Sequence, residues 1–156
     1  MSKSLRRVQA ALQAAGLDTT PLEMGAETRT AAQAAAAAGC EIDQIAKSII
    51  FQGAGSGRIV LFITAGGRQV DPARAAQAAG EPLVRADAEA VRAQTGFAIG
   101  GVAPVGHLAP VRSFFDPRLL NFATVWAAAG TPRHIFAIAP ADLLRISGAE
   151  PVEFTA

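Results

Sequence analysis

The sequence predicts a mixed α/β domain, a sheet with parallel and antiparallel strands surrounded by helices. Three observations lead there. Stretches with helical spacing alternate along the chain with short apolar runs rich in β-branched residues. The gaps between apolar runs are mostly of hairpin length after residue 96, which argues against a regular doubly wound parallel fold. Finally, 51% of the 156 residues are hydrophobic and 17% are charged, enough apolar surface for a single real core and too much for a disordered chain.

The elements follow in order. Leu5, Val8, Leu12 and Ala15 keep helical spacing, and Gly16 supplies a stop. Thr30 with Gln33 forms a capping box ahead of the alanine run Ala34 to Ala38, and Gly39 ends that helix. Alanine favours helix and permits close packing on a sheet. Two strands come next, Ile45 to Gln52 and Arg58 to Thr64, with GAGSG between them as a hairpin turn. Asp71-Pro72 starts a helix with Asp as cap and Pro in the first turn; it ends by Gly80, and Pro82 blocks a restart. Asp87 opens a short helix closed at Gly96. Arg112 to Phe115, Ala123 to Ala128 and Ile135 to Ile138 are strands, Pro140 begins a last helix ending near Gly148, and Val152 to Phe154 adds an edge strand. No domain boundary is visible, so residues 1–156 are expected to form one unit.

Composition excludes several function classes. The formal net charge is +1, so no bulk field recruits nucleic acid, and an RNA contact has to use a local patch; Lys3, Arg6 and Arg7 form one, or simply a solvated first turn. The single cysteine, Cys40, has no internal disulfide partner and is expected to fill apolar space. With no signal-like segment, the cytoplasm is the expected compartment. The weakly polar run from Phe97 to Val111 is too short and too broken to span a membrane. There is no phosphate-cradling GxxxxGK[ST], no GxSxG elbow, no HExxH and no paired-cysteine spacing. His107 and His134 are not spaced as a chelating pair, so neither a metal nor a cofactor is expected.

Two stretches carry chemistry. In IAKSIIF, Ile45, Lys47, Ile49 and Phe51 share one strand face and Ala46, Ser48 and Ile50 the other, which puts an ammonium on the more apolar side. Burying it unpaired costs several kcal/mol or more. Either the strand is a sheet edge and Lys47 reaches water, or the face opens into a cavity that needs a cation. In AIGGVAPVGH, Gly100 and Gly101 admit backbone conformations closed to other residues, Pro104 stiffens the loop, and Gly106 permits a close approach. Such a loop can aim amides at an anion or oxyanion; a tight connection between strands accounts for the same residues.

Taken in order, IAKSIIF, GGVAPVG and FFDPRLLNFATVWAAAG (Phe114 to Gly130) resemble the YbaK/prolyl-tRNA-synthetase-associated domain family, with similarity from the first helix to PADLL at Pro140 to Leu144. The resemblance implies a single domain with a mixed, partly barrel-like sheet, and hydrolysis of the ester joining a mischarged amino acid to proline tRNA. It implies that Lys47 holds the terminal nucleotide and that the loop, Gly100, Gly101, Val102, Ala103, Pro104, Val105 and Gly106, lines the pocket. Lys47 then acts as an electrostatic anchor and Gly101 as the loop's catalytic backbone, with water positioned rather than activated by a nucleophile. His107 either touches the terminal adenosine, relays a proton, or is a solvated loop residue; His134, Asp116 and Ser48 are weaker candidates. Where members acting on cysteinyl tRNA carry a serine and an aspartate, this chain has Ala128 and Ile135, and the histidine of alanyl-tRNA editors is also missing from AAAG. A small, uncharged, aliphatic amino acid is the expected substrate. Mischarged proline tRNA is the expected partner, prolyl-tRNA synthetase a further one, and a membrane none. A non-catalytic module binding a nucleotide or an aminoacyl-tRNA end, and an accessory protein docked on the synthetase, are the rival expectations.

Overall fold

The computed structural model describes residues 2–156. Helix α1 (Lys3–Ala14) is capped by the Ser2 hydroxyl, which accepts from the Leu5 amide at 3.0 Å. Strand β1 (Leu22–Glu23) is followed by α2 (Ala31–Ala38), whose capping box from Thr30 and Gln33 and left-handed Gly39 are those expected. A 3-10 turn at Ile42–Gln44 leads into β2 (Ile45–Gly53) and β3 (Ile59–Ala65). Their hairpin closes with Gly53 opposed by both Gly57 (φ 72°) and Arg58, a bulge that needs a left-handed residue. Then come α3 (Pro72–Ala79), β4 (Leu83–Val84), α4 (Ala88–Thr95), β5 (Arg112–Phe115), a 3-10 turn at Pro117–Asn121, β6 (Val125–Ala128), β7 (His134–Ile138), α5 (Pro140–Ser147) and β8 (Glu150–Pro151).

The eight strands form one open mixed sheet, in the order β1-β7-β6-β2-β3-β5-β8, with β4 on the far end of β2. It does not close into a barrel. After residue 96 only β6 and β7 make a hairpin; β5 and β8 join in parallel. The last segment differs from expectation. Glu150–Pro151 pairs with β5, while Phe154 turns inward against Phe62 at 4.9 Å, because an aromatic side chain gains more from burial than from an edge position.

Strict alternation divides the core. Ile59, Leu61, Ile63 and Ala65 of β3 face the larger layer, built with Leu5, Val8 and Leu12 of α1, Val91 of α4 and Leu143 of α5. Val60 and Phe62 face the other layer, with Ala75 of α3 and Phe114. Helix α2 covers Ile45 on that second side, with Cys40 packed as apolar filler.

Two constructions hold the loops that flank β2. Asp116, fully buried, caps the turn after β5 by accepting from the Arg118 amide at 3.0 Å, and also accepts from the Ala65 amide and from the Arg68 guanidinium, each at 3.1 Å. It thereby fixes the exit of β3. On the other layer, Arg7 of α1 donates to the carbonyls of Gly96 and Gly106 and lies over the Phe97 ring. His107 donates from Nε2 to the Ala103 carbonyl at 2.7 Å and meets Phe97 edge-on. It is therefore a half-buried brace inside the loop, not a solvated side chain. Gly106 (φ 82°) is needed because a Cβ there would sit 3.0 Å from the Arg7 main chain; its close neighbour is α1 rather than a ligand.

Replacing Asp116 with alanine leaves two amides and a guanidinium without their acceptor, and is expected to cost about 3 kcal/mol in denaturant unfolding, with Asp116→Asn costing less. Burial pushes the His107 imidazole below its ordinary range, with Arg7 adding in the same direction and the Ala103 bond opposing. The folded state then binds its proton later than the unfolded chain does. Its contribution to stability is complete above the unfolded value of about 6.5 and is lost as pH falls from there toward the folded value. A His107→Gln variant measured by thermal unfolding across this range is expected to show a shallower loss than the parent.

Candidate functional site

Strand β2 is bonded to β3 along Ala46–Gln52, but its other edge is interrupted. It pairs with β6 only at Ile45 and Ala46, and with β4 only at Gln52 and Gly53. In an antiparallel ladder each residue turns both its N–H and its C=O to one side, alternating along the strand. The Gly53 amide bonds to Arg58, so Phe51, Ile49 and Lys47 also face β3. The amides and carbonyls of Ser48 and Ile50 therefore face the interruption, where β6 and β4 have diverged, and no other strand takes them.

A cavity of about 740 Å³ occupies this interruption. Because it lies in the plane of the sheet, it is reached from both layers. Lys47 and Ala34 line it from one side; Ser4 of α1 and Ala98–Val102 line it from the other. Lys47 and the first half of the glycine-proline loop thus meet in one space, although the side chains of Lys47 and Ser48 leave β2 on opposite faces. Gly100 (φ 83°) needs its left-handed conformation, and Gly101 does not. The Gly101 amide closes a turn onto the Ala98 carbonyl at 2.9 Å.

Val102 borders the cavity from the larger core layer. The remaining loop residues are elsewhere: Ala103 is buried in that layer, and Pro104, Val105, Gly106 and His107 line a separate shallow pocket of about 390 Å³ against the end of α5. Ala128 lines the main cavity, as does Ile135, and the two are cross-strand partners in the β6–β7 ladder. They give the cavity a stretch of apolar wall.

Lys47 is half-buried, and its ammonium donates to the Gly66 carbonyl at 3.1 Å. Burial lowers its pKa, while the carboxylates of Asp43 and Asp116 pull in the opposite direction. One of its three donors is used by Gly66, leaving two for a ligand. Gly66 is confined by the Ile42 carbonyl, 2.2 Å from where a Cβ would stand, so the carbonyl that receives Lys47 is rigidly placed.

Sequence patterns gave no sign of the rest of the lining. Arg29, Arg85 and Arg92 stand around the cavity, and no Asp or Glu does. Arg29 is tied to Glu27 at 3.5 Å by an exposed pair of little energetic weight. The Thr131 hydroxyl, also in the lining, lies 2.6 Å from Nδ1 of His134 and accepts from the Arg133 amide, a local turn. Among the described residues the buried Ser48 hydroxyl has no hydrogen-bond partner. These positions come together through two-residue strand contacts at Leu22–Glu23 and Leu83–Val84, too short to leave a periodic signal. Among the described residues no group of carboxylate, histidine and cysteine side chains can hold a metal, and no helix is long and apolar enough to cross a membrane.

An uncharacterized protein of Bacillus subtilis (strain 168), YwhH, is 31% identical over 125 residues, which is 80% of this chain and 79% of the relative. A solved structure described as a proposed trans-editing enzyme for prolyl tRNA synthetase is 44% identical, with a TM-score of 0.91 over 100% of this chain and 99% of that one. The hypothetical protein APE2540 is 27% identical with a TM-score of 0.86, covering 96% of this chain and 99% of its own. The model of the aminoacyl-tRNA editing domain matches residues 25–146, and the chain belongs to that family.

Proposed function

We propose that the protein hydrolyses the ester of a small, mischarged amino acid on proline tRNA, acting as a free-standing deacylase. One observation carries this reading: a single cavity is lined by Lys47 and three arginines together with the apolar Ala128 and Ile135, and by no carboxylate. The cations suit the phosphate and hydroxyls of a terminal nucleotide. The apolar wall suits a short aliphatic side chain. The volume fits an aminoacyl-adenosine within the usual range of ligand sites.

An aminoacyl ester is already activated, so positioning can supply much of the rate. Water attacks the ester carbonyl carbon, the bond to the ribose oxygen breaks, and that oxygen takes up a proton, releasing the amino acid and a free 3′-hydroxyl. The neighbouring ribose hydroxyl can assist. Lys47 serves as an electrostatic anchor. The Gly101 amide is committed to Ala98, so the loop contributes the wall of the site, and the oxyanion donor has to come from another amide. Of the remaining sequence candidates, Gly100 and Val102 stand in this wall, whereas Ala103 to His107 hold it from behind. Prolyl-tRNA synthetase, as supplier of the mischarged tRNA, is the natural protein partner.

Proline tRNA charged with alanine, 2-aminobutyrate, serine, threonine, cysteine or proline is the test. Alanyl and 2-aminobutyryl esters are expected to be released well above the buffer rate, and the prolyl ester spared. Saturable binding of charged tRNA with no release would favour a binding module instead. Co-purification with the synthetase that is indifferent to Lys47 would favour an accessory protein.

Lys47→Met is expected to slow release by about tenfold or more while leaving thermal unfolding close to the parent, as befits loss of a charge-assisted contact. Equal rates in parent and variant would remove Lys47 from the site. Thr131→Val separates the mechanisms: the positioned-water route predicts a retained rate, and a collapse of release would indicate a hydroxyl nucleophile served by His134.

A further inference from the structure

We infer that the aminoacyl group fills the missing rung of the sheet, its α-amino group donating to a main-chain carbonyl of Ser48 or Ile50 and its ester carbonyl accepting from an amide of the same pair. This deepens the deacylase reading and rests on it. Four main-chain groups of β2, two donors and two acceptors, face the cavity without a strand partner. Successive rungs are about 6.7 Å apart. Main-chain groups withdrawn from bulk water are almost always paired, with strands, side chains or ordered water, so an unpaired stretch within a central strand marks a place where water or a ligand supplies the bonds.

An aminoacyl ester has the matching pattern. It carries an N–H donor and a carbonyl acceptor separated by one α-carbon, as any residue of a strand does, and a single residue is enough to exchange both bonds with β2. Addition of an extended segment to a free strand edge is a general mode of recognition; here the open edge between the β6 pairing at Ala46 and the β4 pairing at Gln52 offers two rungs, Ser48 and Ile50, and a single aminoacyl residue takes one of them. The lining narrows the choice of acceptor further. It contains Lys47 and three arginines and no carboxylate, so an α-amino group finds no acidic side chain and is left with main-chain carbonyls and hydroxyls. A cationic surrounding also favours the neutral amine, whose ordinary pKa of about 8 is close enough to neutrality for this to matter. The side chain of the bound amino acid then leaves the rung toward Ala128 and Ile135, and the amide that donates to the ester carbonyl is the donor for the oxyanion.

The test compares proline tRNA carrying alanyl, lactyl and propionyl esters, each normalised to its own rate without protein. Alanyl retains the donor, lactyl replaces it with a hydroxyl, and propionyl lacks it. The expected order is alanyl, then lactyl, then propionyl, with the last lower by about tenfold or more, the scale of one lost hydrogen bond in a dry site. A binding arm needs no turnover: the 3′-alanylamido analogue of 3′-deoxyadenosine should compete with charged tRNA at least about tenfold better than the 3′-propionylamido analogue. Equal acceleration of all three esters, or equal competition by the two amides, would overturn the rung while leaving the deacylase reading intact. Discrimination between the amides with no ester released would keep the rung and remove the catalysis. Failure of every ester and both amides would overturn both.

Discussion

Strand β2 is central in the sheet and yet bonded on one edge only between Ala46 and Gln52. A strand in that position ordinarily has both edges satisfied, because an unpaired amide or carbonyl away from water costs free energy. Here β6 leaves after two residues and β4 arrives only at the far end. The remaining consequences follow from that divergence. The cavity lies within the sheet rather than on it, so groups from both layers reach the same space, and a lysine on one face of β2 and a glycine loop packed over the other become neighbours.

Such an opening would collapse if its borders were soft. Strand β2 is held by an unbroken ladder to β3, and the exit of β3 is fixed by Asp116, which accepts from the Ala65 amide in the interior. One residue further on, Gly66 is pressed against the Ile42 carbonyl and presents its own carbonyl to Lys47. On the other layer Arg7 and His107 tie the loop to α1 and to itself. These are ordinary structural bonds, but together they place the Lys47 ammonium and the loop wall at fixed positions before any ligand arrives. That is the requirement for a site that works by positioning instead of by a strong nucleophile.

Much of this was legible in the sequence, for identifiable reasons. The capping box of Thr30 and Gln33, Asp71-Pro72, Asp87 and the terminal glycines at 39, 80, 96 and 148 are local signals with local causes, and each helix formed where they placed it. The β2–β3 hairpin was equally local. Lys47 was conspicuous because an ammonium on an apolar strand face needs an explanation. The interruption of the sheet was not legible, since it depends on where β6 and β4 stop pairing, and those contacts are two residues long. Gly106 and His107 belonged to a conspicuous motif yet brace it from behind, because a glycine that avoids a ligand and one that avoids a helix look the same in sequence. Ser48 was set aside for facing away from Lys47, a sound inference for an intact sheet that loses its force where the sheet is open.

On the proposed deacylase reading, the open rung bears on the hardest task of an editing site at proline tRNA, which is to spare the correct amino acid. Size alone discriminates by about 1–3 kcal/mol per methylene, and a cavity of about 740 Å³ is not tight enough to exploit even that fully. Main-chain pairing supplies a sharper criterion. In a prolyl ester the ring carbon Cδ replaces one hydrogen of the α-amino group and projects from the same nitrogen that has to approach a carbonyl of β2. The prolyl nitrogen still carries an N–H, so the discrimination is steric: the ring carbon crowds the approach of that nitrogen to a strand carbonyl, which a primary amine does not. Alanine and 2-aminobutyrate keep an unhindered primary amine and differ from one another only in how far they reach toward Ala128 and Ile135. A site organised in this way distinguishes the cognate residue by its nitrogen and its rivals by their side chains, and the first distinction needs no side chain of the protein at all.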